Sequence, residues 1–271
     1  MKETSQQQMD SFYKELINTA LSENSIVFQP PEPEVIEKCR KNAVPLINIS
    51  PPVVKYEDFF IIIRQISEII QKYQPDLTAE ITKIINLLPD ETSEKKAFVS
   101  KAIIPGSSFT YYFNEDVNQD IFNFMRNYSV KPFMRAYGKY MSTLYNLEEW
   151  LQGFCPVCGS YPNMALLEKE EGKRYLSCGW CETKWRFNRL GCPYCLHNES
   201  QFFTLEGIDK YRVYFCEKCR GYLKTVDEAS AGSKVVDLLW EDINTVQLDF
   251  IAMREGYSNQ KSDLALNNSE K

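Results

Sequence analysis

The sequence has very little histidine and none of the common nucleotide-binding motifs. Its 271 residues include one histidine, His197, and 11 glycines. A histidine-based acid–base site needs a partner group and a pocket, and nothing in the sequence supplies a partner. Neither G-x-x-x-x-G-K-[ST] nor G-x-G-x-x-G occurs, so no loop for nucleotide phosphates is expected. The sequence therefore supports neither histidine-based catalysis nor nucleotide chemistry.

Long apolar runs and an excess of positive charge are also missing. The longest uninterrupted apolar run, 59–63, is far shorter than the roughly 20 residues that a membrane span needs. The N-terminal residues have no hydrophobic signal core. The formal net charge is −6, whereas nucleic-acid binders normally present a basic surface. We therefore expect a cytoplasmic protein without membrane insertion and without a nucleic-acid partner.

The N-terminal half has the periodicity of helices. Apolar residues at three-to-four spacing predict a helix over 56–73. Asp76 is expected to cap the next helix. A long helical stretch is predicted over 116–145, and Pro132 is expected to break or kink it. We predict a helical domain over 1–150.

The chain has nine cysteines, and eight of them form C-x-x-C pairs. Cys39 stands alone and is expected to be a small apolar residue on a helix face. The paired residues are Cys155 and Cys158, Cys178 and Cys181, Cys192 and Cys195, and Cys216 and Cys219. Because the cytosol keeps thiols reduced, we interpret these pairs as metal ligands rather than disulfides.

The spacing of the pairs indicates an internal repeat. Cys155 and Cys192 are 37 residues apart, and the second pair is followed 38 residues later by the fourth. Each unit reads C-x-x-C, then 19 or 20 residues, then C-x-x-C. Flanking residues also correspond, because Arg174 falls on Arg212 and Arg186 falls on Lys224. We infer a tandem duplication of one small module.

Each module is expected to place two cysteine turns, joined by a β-hairpin, on one tetrahedral ion. The modules are predicted over 151–190 and 191–225, with sequential pairing of the cysteines; a cross-braced pairing is the alternative. A C-terminal helix is predicted over 226–257 and a flexible tail over 258–271. The fold class is α+β, with a helical N-terminal domain followed by tandem rubredoxin-like or zinc-ribbon modules.

A tetrahedral site of four thiolates suits Zn²⁺ or a single iron. Because each site already has four cysteines, His197 is expected to be an exposed loop residue. Gly159 directly follows the first pair, where a positive φ is convenient, whereas Leu196 follows the third pair. We therefore expect the first site to be the tighter one.

Metal binding would remove the basic character of the cysteine-rich segment. Residues 151–224 contain 11 Lys and Arg against 8 Asp and Glu, a net charge of +3. Two divalent ions with eight thiolates would change this to −1. This weakens the interpretation of the segment as a nucleic-acid-binding module.

The cysteine-rich segment resembles the family of the formate dehydrogenase accessory protein FdhE. The family pattern contains C-P-x-C-G-S-x-P, R-Y-L-x-C-x-x-C-x-T-x-W and C-x-x-C-x-x-Y-L-K, which 155–195 and 215–224 follow. Besides cysteines, the matching residues are Pro162, Arg174, Tyr175, Leu176, Thr183, Trp185, Arg189, Tyr222, Leu223 and Lys224. The segment 248–257 is similar to the C-terminal helix of the family. Two departures are Arg186, where many relatives carry histidine, and Arg220.

The resemblance implies a cytoplasmic accessory protein that is not itself an enzyme. It implies two mononuclear iron sites ligated by all eight paired cysteines, with zinc as the alternative metal. It also implies binding to the catalytic subunit of a molybdenum- or tungsten-dependent formate dehydrogenase, whose maturation the protein supports. Trp180, Trp185 and Tyr194 are expected to pack over the small module cores. An exposed partner-contact surface is hypothesised at Tyr161, Trp185, Arg186 and Arg189.

Two other functions fit the same cysteine pattern. A structural zinc-ribbon adaptor or nucleic-acid-binding module would contain zinc, and tight binding to DNA or RNA at about 0.15 M salt would favour the latter. A rubredoxin-like redox enzyme would need a redox-active iron. A colourless, zinc-only protein after anaerobic purification would exclude the redox enzyme.

Overall fold

The chain forms two compact units, each built from two segments of sequence. The computed structural model describes residues 5–109, 117–232 and 235–259. One unit is Met1–Gln29 with Pro52–Tyr137, and the other is Pro30–Pro51 with Gly138–Lys271. The segment 30–51 therefore belongs with the cysteine-rich part, whereas the sequence prediction placed it in a helical domain ending at residue 150.

The described residues include eight α-helices and eight strands. The helices are α1 (Ser5–Ile17), α2 (Pro33–Lys41), α3 (Tyr56–Tyr73), α4 (Thr78–Asn86), α5 (Thr92–Ala102), α6 (Gln119–Met141), α7 (Leu238–Asn244) and α8 (Val246–Arg254). The strands are β1 (Ile26–Val27), β2 (Val53–Val54), β3 (Pro162–Leu167), β4 (Arg174–Cys178), β5 (Lys184–Phe187), β6 (Gln201–Leu205), β7 (Ile208–Phe215) and β8 (Tyr222–Asp227). None of the described helices has the length and apolarity required to cross a membrane.

The first unit is a helical assembly around aromatic side chains. Helix α3 has the bounds that its apolar periodicity predicts, and it buries Phe59, Ile63 and Ile66. The ring of Phe59 lies 6.1 Å from that of Phe98 on α5, which in turn lies 6.2 Å from that of Phe122 on α6. Burial of each large apolar side chain stabilises the unit by about 1.5–3 kcal/mol.

The predicted cap at Asp76 is wrong. Asp76 lies inside the 3-10 turn Pro75–Leu77, and α4 begins at Thr78 without a side-chain cap. Leu77, the residue before α4, already has helical backbone angles. Because the preceding turn leads directly into the helix, no extended capping residue is present.

Pro132 does not break α6, which continues from Gln119 to Met141. A proline in a helix interior costs about 3 kcal/mol through a lost hydrogen bond and ring crowding. Its neighbours Val130, Phe133 and Met134 are all buried, and this burial offsets the cost. The start predicted at Asp116 lies outside the described residues.

The two cysteine modules share one six-stranded sheet in the second unit. The strand order is β5-β4-β3-β8-β7-β6. Strands β3 to β5 form one antiparallel meander, and β6 to β8 form the other. Parallel pairing of β3 with β8, with Met164 opposite Lys224 and Leu167 opposite Asp227, joins the two meanders. The repeated sequence therefore folds as two equivalent three-stranded modules.

The C-terminal segment is helical only in part, so the prediction of one helix from Val226 is wrong. Val226 is fully buried in β8, where it pairs with Tyr211 of β7 and with Leu166 of β3. Two short helices, α7 and α8, follow instead. Val235 is 98% exposed and Phe250 is 65% exposed, so neither contributes to the buried side of this segment. Leu248 and Ala252 provide the buried face of α8.

Most of the predicted tail, 258–271, lies outside the described residues. Ser258 is described, and it forms a bridge to Gly221. Its amide donates to the carbonyl of Arg220 at 2.7 Å, and its carbonyl accepts from the amide of Tyr222 at 3.2 Å. This residue therefore extends the ordered structure beside the last cysteine pair.

Candidate metal centres

The structure brings the eight paired cysteines into two groups of four. The first centre comprises Cys155, Cys158, Cys178 and Cys181, and the second comprises Cys192, Cys195, Cys216 and Cys219. In each group the four sulfur atoms lie within 4.8 Å of one another. This is the sequential pairing that the repeat predicts, and the cross-braced alternative is wrong.

The sulfur positions fit a tetrahedral ion. In the first centre the Sγ atoms of Cys155 and Cys181 are 3.5 Å apart, and those of Cys158 and Cys178 are 3.4 Å apart. The corresponding distances in the second centre are both 3.6 Å. A tetrahedral ion with bonds of about 2.3 Å places its sulfurs about 3.8 Å apart, whereas a disulfide bond is about 2.05 Å long. All nine cysteines are free thiols, so each group can hold one metal ion.

The four cysteine turns share one backbone geometry. In each turn the amide of the first cysteine donates to the carbonyl five residues later, as from Cys155 to Ser160 at 2.9 Å. In each, the residue after the second cysteine is left-handed. These residues are Gly159 with φ of 77°, Glu182 with 61°, Leu196 with 58° and Arg220 with 58°. The geometry turns both thiols of a pair towards one point, and it recurs regardless of the residue after the pair.

Backbone amides stabilise a thiolate in each centre. The amides of Trp180 and Cys181 donate to Cys178 Sγ, each at 3.4 Å. Burial raises the pKa of Cys178, but hydrogen bonds from the other three thiols and from the Cys181 amide outweigh burial, so its pKa is lowered. Cys216 occupies the corresponding position in the second centre. Burial raises its pKa, but amides of its own turn and hydrogen bonds from Cys195 and Cys192 together outweigh burial, so its pKa is also lowered. In each centre, backbone amides of a cysteine turn thus favour the thiolate form of one ligand.

The first centre is more enclosed than the second. All four of its cysteines are buried, whereas Cys195 and Cys219 of the second are half-buried. The segment 30–51 contributes to this enclosure, because the amides of Leu46 and Ile47 donate to Pro156 and Val157 in the first turn, at 2.9 and 2.8 Å. This asymmetry supports a tighter first site, which stays a prediction.

The aromatic residues beside the cysteines are mostly internal. Trp185 is fully buried, and its indole N–H donates to the carbonyl of Gln152 at 2.8 Å. Tyr194 is buried between the modules, with its hydroxyl 3.3 Å from the carbonyl of Pro162 and 3.1 Å from that of Tyr222. Their packing in the module cores is confirmed. The hypothesis that Trp185 belongs to an exposed contact surface is wrong, because its place on β5 points the indole into the core.

The other three residues of that hypothesised surface remain accessible. Tyr161 is half-buried, with its ring 5.7 Å from that of Tyr194. Arg186 has a 41% exposed side chain, and Arg189 is exposed.

The expectations for two isolated residues are also confirmed. His197 is exposed outside both sulfur groups, and Cys39 is buried in α2.

A buried ion cluster beneath the sheet was missed by the sequence analysis. Lys224 is 1% exposed, and its Nζ lies 2.8 Å from Asp242 Oδ1 and 2.7 Å from Asp249 Oδ2. The hydroxyl of Tyr222 donates to the other oxygen of Asp249 at 2.8 Å. The cluster therefore fastens α7 and α8 to β8. The sequence signalled this cluster only through the resemblance to the family, which includes Tyr222 and Lys224 in one segment and Leu248 and Asp249 in another.

The chain is similar in sequence to known FdhE proteins. A family model described as "FdhE, central domain" matches residues 154–189. A "Protein FdhE homolog" from Aquifex aeolicus (strain VF5) is 29% identical over 157 residues, which cover 56% of this chain and 54% of that protein. A second, from Pseudomonas aeruginosa, is 30% identical over 122 residues, which cover 41% of this chain and 39% of that protein. The chain is similar to these FdhE proteins over part of its length. It matches about half or less of the length of these relatives.

The fold is also that of a solved FdhE structure. The crystal structure of the FdhE protein from Pseudomonas aeruginosa aligns with a TM-score of 0.55 and 20% sequence identity. The alignment covers 96% of this chain and 84% of that one. The FdhE likeness thus includes the helical unit, where the sequence offered architecture but no motif.

Proposed function

We propose that this protein is a cytoplasmic, non-catalytic accessory factor for a molybdenum- or tungsten-dependent formate dehydrogenase. In this proposal it binds the catalytic subunit of that enzyme and supports its maturation. The observation that carries the proposal is the pair of four-cysteine centres, the first of which lies in the segment 154–189 that matches the FdhE central domain. The FdhE-like fold over nearly the whole chain adds support.

Each centre is proposed to hold one iron ion through its four cysteines, with zinc as the alternative metal. The bound iron would supply one-electron exchange between its ferrous and ferric states. The two modules are proposed to extend over 151–190 and 191–225, the boundaries that the cysteine repeat indicates.

Metal binding is proposed to control docking. The three-stranded modules are small, so metal ligation contributes much of their folding free energy. Tyr161, Arg186 and Arg189 are proposed as partner contacts, since all three are accessible and lie in or between the modules. Loss of metal would then remove the surface that carries these side chains.

An anaerobic affinity capture from the native host tests the proposal, with iron and zinc measured on the same sample. We expect recovery of a formate dehydrogenase catalytic subunit, and loss of that subunit when Cys155 and Cys158 become Ser. The double variant Arg186→Ala, Arg189→Ala should weaken capture while two metal ions per chain remain. Arg254→Ala is the matched control, because Arg254 has a 79% exposed side chain on α8, outside the modules.

Two results would count against the proposal. If metal-free protein captured the subunit as well as metal-loaded protein did, metal-controlled docking would be wrong. If no such subunit were recovered and two zinc ions were bound per chain, a structural zinc-ribbon adaptor would be the better description.

A further inference from the structure

Arg174 on β4 is a buried cation without a carboxylate partner. The residue is 1% exposed. Its Nη1 donates to the carbonyl of Gly191 at 3.0 Å and, more weakly, to that of Arg189 at 3.4 Å. Its Nε and Nη2 are buried without a hydrogen-bond partner, and no ion pair involves it among the described residues. A buried charge is costly unless a compensating charge is near.

The surroundings of Arg174 contain one group that can carry a permanent negative charge at neutral pH. The ionisable groups whose charges act on it are Tyr214, Tyr194 and Cys192. The guanidinium lies 4.6 Å from the ring centre of Tyr214, which offers a polarisable face but no net charge. The hydroxyl of Tyr194 lies 3.3 Å from the carbonyl of Pro162 and 3.1 Å from that of Tyr222, and it needs its proton to donate to them, so it carries no charge. Cys192 becomes a thiolate when a metal ion binds, because cysteine ligates metals in its ionised form.

The same arginine is tied to the backbone of the second centre. Gly191, its stronger acceptor, directly precedes Cys192, which belongs to that centre. A divalent ion with four thiolates carries a net charge of about −2. Arg174 therefore places a positive charge beside an anionic centre and fixes the residue that leads into its first ligand.

We propose that Arg174 is the internal counter-charge and the positioning residue of the second metal centre. The inference rests on the proposed metal occupancy of that centre. It has a consequence for the fold, because Arg174 belongs to the first module whereas the centre belongs to the second. The second centre is thus not self-contained, because it needs the first module for its charge balance.

The repeat supplies a matched control. Arg212 on β7 occupies the position that corresponds to Arg174, but it forms an ion pair with Asp227. Its charge is therefore already compensated by a carboxylate. Replacing Arg212 with Met and Asp227 with Asn removes an arginine at the equivalent position without leaving a buried carboxylate unpaired.

The test measures metal affinity of the full-length chain, by anaerobic competition between the protein and a chromophoric chelator for Zn²⁺. Cys195→Ser identifies which of the two affinities belongs to the second centre. We expect Arg174→Met to weaken the second centre by roughly 10- to 100-fold, the usual effect of losing a group that supports a ligand. The first centre should keep its affinity. Arg174→Lys should weaken the second centre less than Arg174→Met does, because lysine keeps the positive charge.

Two further readouts separate charge from packing. In iron-loaded protein, Arg174→Met should lower the reduction potential of the second centre, because loss of a positive charge favours the ferric state. In metal-free protein, the same variant should melt at the same or a higher temperature than the parent, since it removes an uncompensated buried charge.

The inference would be overturned if Arg174→Met left the zinc affinity of the second centre unchanged. It would also be overturned if Arg174→Met and Arg174→Lys each lowered the zinc affinity of the first centre as much as that of the second. It would also be overturned if the Arg212→Met, Asp227→Asn control weakened the second centre as much. Binding of fewer than two Zn²⁺ ions by the parent protein would instead reject the proposed metal occupancy, and this inference with it.

Discussion

The residue after each C-x-x-C pair has a left-handed backbone, and only one of these four residues is glycine. Leu196 has φ of 58° and is 58% exposed. A left-handed backbone at a residue with a Cβ destabilises the folded state by about 1–2 kcal/mol. Glycine avoids this strain, but it loses about 0.5–1 kcal/mol through the greater conformational entropy of the unfolded chain. We therefore expect Leu196→Gly to raise the free energy of unfolding of the zinc-loaded protein by up to about 1 kcal/mol.

Thermal unfolding with zinc present tests this expectation. Leu190→Gly is the matched control, because Leu190 is also exposed, at 49%, and is not among the left-handed residues. The control should be neutral or slightly destabilising. If Leu196→Gly gave no gain over the control, the left-handed backbone would not be a source of strain in this turn.

The buried Lys224 predicts a much larger effect. Lys224→Met would leave Asp242 and Asp249 without their cation beneath the sheet. Removing one partner of a buried pair costs about 3–5 kcal/mol, so we expect unfolding at markedly lower denaturant concentration. Lys210→Met is the control, because Lys210 pairs with Glu241 of α7 at 2.6 Å but is 31% exposed. That change should cost about 1 kcal/mol or less, and equal losses in the two variants would contradict the prediction.

At the scale of elements, the last turn of α6 lies against the first centre. A Cβ on Gly138 would come within 2.2 Å of the carbonyl oxygen of Cys181. Helix propensity alone predicts that Gly138→Ala stabilises α6 by about 1 kcal/mol. The contact predicts the opposite, because the second cysteine turn must move away from the helix. We expect a net loss of stability and weaker zinc binding at the first centre only.

Zinc competition and thermal unfolding decide between the two effects, since they differ in sign. The matched control is Ala136→Gly on the same helix, which should lose about 1 kcal/mol through propensity and leave both zinc affinities unchanged. If Gly138→Ala stabilised the protein, the turn that contains Cys181 would have to move away from α6 without a loss of free energy, and the prediction would be wrong.

Elements set by local spacing could be predicted from the sequence, whereas those set by distant pairing could not. The apolar periodicity of α3 and the spacing of the cysteine pairs are local patterns, and both gave the observed helix bounds and sulfur groups. Val226 lies in a strand that pairs on both sides, with Tyr211 and with Leu166, and Leu166 is 60 positions earlier in the chain. The attachment of 30–51 includes backbone hydrogen bonds from Leu46 and Ile47, which carry no side-chain signal.

For the molecule as a whole, the two centres have the same ligands but different exposure. Every cysteine of the first is buried, whereas Cys195 and Cys219 of the second are half-buried. A chelator reaches a metal ion through accessible thiolates or through local opening, and less enclosed parts of a structure open at lower free energy. We therefore expect the second centre to lose its metal first.

Release of zinc to an excess of chelator should then follow two kinetic phases of equal amplitude. Cys195→Ser should abolish the fast phase, and Cys158→Ser should abolish the slow one. Both variants remove one thiolate from one centre, so each is the control for the other. A single phase, or a fast phase that disappears with Cys158→Ser, would contradict the order of release. Because the second centre also takes its counter-charge from Arg174, Arg174→Met should accelerate the fast phase further and leave the slow phase as it is.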